Sequence, residues 1–153
     1  MHRIAVDCDL GRLHAWSSEE GRVAYCETLA VIALQINALS PDLVLYEISS
    51  PIMYGEGTAT YSRLSWALWN MAMAPQLAHL LTAPMVVAPS SEWTRKLKEP
   101  VRQKLAGCTA PNHDLRECEA MLWFHAHEPQ RWVPLDNYLE QLVKIPSPKT
   151  RKK

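Results

Sequence analysis

The first apolar run is short and continuous: Arg3-Ile4-Ala5-Val6 leads into Asp7-Cys8-Asp9 and turns at Gly11. This predicts a strand over residues 3–7, buried on both faces. Leu13 to Trp16 and Arg22 to Thr28 are further β-prone runs, and Glu19-Glu20-Gly21 between them reads as a hairpin. The period then changes to three and four: Leu29, Ile32, Ile36 and Leu39 share one helical face, and Ser40-Pro41 ends the run. Residues 42–48 return to a nearly continuous β-prone run whose one interior charge is Glu47, so a second doubly covered strand is expected.

Pro51, Gly55 and Gly57 make residues 49–60 a loop. Tyr61 to Leu81 reads as a long Trp- and Met-rich helix that Pro75 should kink or divide. Residues 84–89 form a short buried strand between prolines, and residues 100–106 a short helix closed by Gly107. Asn112-His113-Asp114 is a capping signal, and residues 114–127 continue as a helix that Pro129 stops. A last helix over 135–143 precedes a Pro- and Lys-rich tail expected to be disordered. The order β-β-β-α-β-α-β-α defines an α/β chain with a five-stranded mixed sheet flanked by helices. Residues 1–130 form one expected domain, and residues 131–153 an extension carrying the tail.

Composition leaves this picture intact: 153 residues, 48% hydrophobic and 21% charged, describe an ordinary globular domain. No run reaches the ~18 apolar residues of a membrane span. The chain opens directly on a strand, without a basic and apolar leader, so the expected location is cytoplasmic. Cys8, Cys26, Cys108 and Cys118 are widely spaced and read as free thiols in a reducing compartment.

Charge does change the picture. The formal net charge is zero, yet Arg95, Lys96, Lys98, Arg102 and Lys104 cluster before the last long helix, and five bases crowd residues 144–153. Between them, Asp114, Glu117, Glu119 and Glu128 face only Arg116. An acidic cluster between basic ones is the layout of a metal site within a phosphate-binding surface, although solvated faces of differing sign would look alike.

The candidate chemistry lies where carboxylates meet predicted burial: Asp7 at the end of the first strand, Glu47 at the end of the fourth, and Asp114 with Glu117 one helical turn apart. If the first and fourth strands are parallel neighbours, Asp7 and Glu47 emerge at one edge with the helical pair across from them. Four such groups repel one another unless cations lie among them, and oxygen donors select Mg²⁺ or Mn²⁺. Two ions ~4 Å apart serve in-line phosphodiester displacement.

On these motifs the chain resembles the RNase H-like (retroviral integrase) nuclease superfamily, and within it the RuvC-type Holliday-junction resolvases. IAVDCDLG matches a strand ending in Asp before a turn glycine, and LVLYEISS followed by TYSRLSWALWNMAMA a buried strand ending in Glu before a small-residue helix. VVAPSSEWTRKLK matches a strand followed by a basic segment, and DLRECEAMLWFHAH a helix opening on two acids. The chain departs from the family at Asp7-Cys8-Asp9, where Asp-Pro-Gly is frequent, and at Glu117, where Asp is common. A compact, divergent member, such as a phage-encoded one, is consistent with this.

The resemblance implies an RNase H-like fold and metal ligands Asp7, Glu47, Asp114 and Glu117 holding two Mg²⁺ or Mn²⁺ ions. It implies a homodimeric, structure-selective endodeoxyribonuclease cutting four-way or other branched DNA to a 5′-phosphate and 3′-hydroxyl. The setting would be the cytoplasm of a bacterium or a phage-infected host. Arg63, Arg95, Lys96, Lys98, Arg102 and Lys104 are the candidate DNA contacts. An RNA-processing nuclease of the same fold and a non-catalytic DNA- or protein-binding relative stay open.

Each residue also has a plainer reading. Asp9 suits an ordinary turn. Asp114 and Glu117 suit a helix start regardless of metal, His113 can ligate or merely adjoin the pair, Glu119 points to solvent, and His125 and His127 read as structural. The Trp and Met surplus of residues 66–73 suits core or a dimer face, and Tyr54 and Tyr61 suit base stacking or packing.

Overall fold

The computed structural model describes residues 1–9, 11–25, 27–49, 61–89 and 99–143, without the side chains of 61–64, 99, 100 and 143. Three strands open the chain, β1 (Arg3–Asp9), β2 (Arg12–Ser17) and β3 (Gly21–Tyr25). Then come α1 (Leu29–Ala38), β4 (Leu43–Ile48), α2 (Tyr61–Leu80) and β5 (Met85–Pro89). The remainder is α3 (Glu99–Leu105), α4 (His113–His127), a 3₁₀ turn (Pro129–Arg131), β6 (Val133–Pro134) and α5 (Leu135–Val143). The sheet order is β3-β2-β1-β4-β5-β6. β1 is antiparallel to β2 and parallel to β4, β4 is parallel to β5, and β6 joins antiparallel to β5.

The mixed sheet is thus present with six strands rather than five, because a two-residue β6 has no period to recognise. The segment 133–143 contributes β6 to the sheet and, through Leu135 and Tyr138, α5 to the core; the basic tail lies outside the described residues. α2 runs through Pro75 undivided: Pro75 is exposed, and the carbonyl it frees is that of Met71, on a half-buried turn. The turns into β2 and out of the β2–β3 connection use glycine at positive φ, Gly11 at 73° and Gly21 at 79°.

Alternation along the strands divides the molecule into two layers. Ile4, Val6, Cys8, Val44, Tyr46, Ile48 and Val87 face α1, α2 and α5 in the larger core. Ala5, Leu45 and Ala88 face α4 through Cys118, Met121, Leu122 and Phe124. By the same parity Asp7 and Glu47 belong to the α4 layer. That layer is where the acids meet.

Candidate active site

The β1–β4 register pairs Val6 with Tyr46, so the next residues, Asp7 and Glu47, emerge together at the ends of adjacent parallel strands. Across the other edge of β1, Asp7 is directly opposite His14 of β2, which puts both side chains on one face. α4 lies over that face. Its N-cap is Asn112, whose Oδ1 accepts the Leu115 N–H at 2.9 Å. Capping is therefore done by Asn112, and the Asp114 carboxylate turns to β2, with Oδ2 3.4 Å from His14 Nε2. Glu117, one turn on, is buried.

The electrostatics of Asp7 report the convergence. Burial raises its pKa well above the ordinary value, and the carboxylates of Glu47, Asp114, Glu117 and Asp9 raise it further. The other three predicted acids thus act on Asp7, and Asp9 adds a further charge from the end of β1. Among the described residues no three acid, His or Cys side chains are gathered into a finished metal cage. The reason for Glu117 is plain: Arg102 donates to its Oε1 at 2.6 Å and Gln103 to its Oε2 at 3.1 Å. Gln103 is oriented in turn by accepting from Arg116 Nε at 3.1 Å.

Arg102 was expected among outward-facing DNA contacts, but it is only 6% exposed, because a buried carboxylate needs a partner more than solvent needs another cation. Lys104, on the same helix, is exposed. Arg95, Lys96, Lys98 and Tyr54 lie outside the described residues, as do the side chains of Arg63 and Tyr61. Glu119, expected to be solvated, instead accepts the Thr109 and Ala110 N–H groups and braces the loop before α4. His113 is exposed, 3.4 Å from Gln103. His125 and His127 have structural partners: Arg3 lies 3.1 Å from His125 Nδ1, and His127 stacks on Trp123.

Cys8, Cys108 and Cys118 are free. Burial pushes the Cys8 thiol up to about 12 and the Cys108 thiol up to about 11, which keeps both protonated.

Two residues at the site had no signal in the hydrophobic pattern. Asn70, buried within α2, accepts the Ser49 N–H at 2.8 Å and donates to the carbonyls of Cys8 and Glu47 at 3.1 and 3.0 Å. Its own carbonyl accepts the Tyr46 hydroxyl. One amide thus ties the ends of β1 and β4 together immediately beside Asp7 and at Glu47. A lone Asn within WALWNMAMA was the available clue. The second residue is His14, wholly buried, with neither ring nitrogen hydrogen-bonded.

Sheet order, parity and the helix over the acids define an α/β fold of the RNase H-like class. In particular, the fold is that of RuvC. The chain is similar to a Thermus thermophilus RuvC structure with a TM-score of 0.56 at 17% identity, covering 88% of this chain and 100% of that one. It is similar also to T. thermophilus RuvC in complex with a Holliday junction substrate, with a TM-score of 0.57 at 18% identity, covering 88% and 99%. No protein-family profile and no curated protein matches the chain. Among the described residues no helix is long and apolar enough to cross a membrane.

Proposed function

We propose that the chain is a divalent-metal-dependent endonuclease that cuts branched DNA, four-way junctions above all, as a homodimer. The observation that carries this reading is the set of carboxylates from β1, β4 and α4 acting on Asp7, which draws its proton affinity up. Buried mutual repulsion of that kind is offset by a cation, and an all-carboxylate donor set suits Mg²⁺ or Mn²⁺. The residues fit such ions. Asp7, Glu47 and Asp114 would hold them, with Glu117 as the fourth ligand once Arg102 and Gln103 release it. Bound in a pair, the ions supply water activation and charge stabilisation to in-line phosphodiester displacement.

The protein's part is placement. Asn70 fixes the strand ends that carry Asp7 and Glu47, and α4 brings Asp114 to 3.4 Å from His14, the residue opposite Asp7. Lys104, exposed on α3, would meet the phosphate backbone, together with Arg63, Arg95, Lys96 and Lys98. A two-fold dimer would present equivalent sites to the two strands a junction needs cut. Similarity to RuvC bound to a Holliday junction favours DNA as the substrate.

The test is cleavage of a four-way DNA junction in Mg²⁺, with structured RNA as comparison. Asp7→Asn should abolish cutting and leave junction binding in place; full activity of that variant would falsify the assignment. One observation favours a second reading, a non-catalytic DNA-binding relative: both Glu117 oxygens are already engaged. Calorimetric titration with Mn²⁺ separates the two, since a binding module has no need of a divalent site.

A further inference from the structure

Buried imidazoles almost always bond through at least one ring nitrogen, because a polar atom withdrawn from water and left unpaired weakens the fold. His14 breaks that rule twice. It is 0% exposed, and neither Nδ1 nor Nε2 has a hydrogen-bond partner. Its ring lies against Tyr25, with centroids 5.1 Å apart, and its strand position is opposite Asp7. Asp114 Oδ2 lies 3.4 Å from Nε2, an ion-pair distance at which no hydrogen bond is made.

That spacing has another meaning. Two donors bound at right angles to one ion, each by a bond of about 2.1 Å, sit about 3 Å apart. We propose that His14 is a nitrogen ligand to the ion at the Asp114 corner of the site, and that it biases this position towards Mn²⁺ over Mg²⁺. The inference rests on the divalent-ion reading above and adds to it a ligand from β2. Mg²⁺ dehydrates reluctantly and favours oxygen, whereas imidazole suits transition ions. With Nε2 bound, the proton resides on Nδ1.

Pulsed electron paramagnetic resonance of the full chain loaded with Mn²⁺, without DNA, tests this. The wild type should show nitrogen-14 modulation typical of coordinated imidazole. The modulation should disappear in His14→Gln and persist in His113→Gln. Mn²⁺ affinity should drop about tenfold or more in His14→Gln, on the scale of lost metal-site support, and Mg²⁺ affinity by less than about twofold. Mn²⁺ that is bound, and displaced by Asp7→Asn, yet shows no nitrogen coupling would overturn the inference and leave the nuclease reading standing. Modulation lost in His113→Gln instead would overturn it too. Absence of Mn²⁺ binding altogether would bring down the divalent-ion reading and this inference with it. Should His14→Gln not fold, the wild-type and His113→Gln spectra decide.

Discussion

An aspartate that holds its proton more tightly in the folded chain than in the unfolded one weakens the fold wherever it is ionised. Asp7 is in that position. At intermediate pH the native state binds more protons than the unfolded state, so this contribution to stability falls as pH rises from about 3.9 through the raised folded value, then levels off. Asp7→Asn should therefore be more stable than the wild type in EDTA at neutral pH, and the gap should close towards pH 4. Urea denaturation across that range, comparing the two proteins, would show equal stabilities if neither burial nor the neighbouring acids raised Asp7. Asn70 makes the opposite case. Asn70→Ala strands several buried backbone groups, and a loss of about 2–3 kcal/mol in urea unfolding is expected. Junction cutting should fall on the order of tenfold or more as Asp7 and Glu47 lose register. Asp7 and Glu47 stood out as candidates because an acid in an apolar run conflicts with its surroundings locally. His14 and Asn70 did not, because their placement arises from cross-strand register and from a helix crossing two strand ends.

At the scale of elements, α3 is the piece whose orientation mattered and whose sequence was silent about it. Five bases in a row of thirteen residues read as a surface charge run, yet Arg102 turns inward to Glu117 and Lys104 outward. Charge counting carries no facing, and a seven-residue helix is too short for its period to supply one. Arg102→Ala leaves Glu117 buried without its cation, for which about 3–5 kcal/mol of destabilisation is expected. Thermal unfolding should recover part of that loss when Mn²⁺ is added to Arg102→Ala, since an ion then takes over the charge that the guanidinium offset. An unchanged melting temperature with and without the ion would argue that Glu117 stays out of the metal site. The long helices and central strands were legible from their periods. β6 and the site-facing side of α3 emerged only from packing.

For the molecule as a whole, the proposed homodimer needs an apolar surface, and α2 offers Leu68 at 57% exposed. Leu68→Glu should shift sedimentation from dimer towards monomer at micromolar concentration. It should also lower paired cutting of a junction more than single nicks, because each subunit keeps its own acids. A wild-type chain that sediments as a monomer would remove the dimer from the proposal.

The parallel pairing of β1 with β4 has a consequence for the order in which the acids come together during synthesis. Parallel strands cannot be joined by a tight turn, so Asp7 waits for Glu47, roughly forty residues later, before the two acids are neighbours. Asp114 and Glu117 emerge from the ribosome later still. Because contacts of such long sequence separation form slowly and together, the acids assemble in a single late step. If the chain is the proposed nuclease, one still being made would carry its first aspartate without its partners, and nucleic acid near the ribosome would be spared until α4 closes over the sheet.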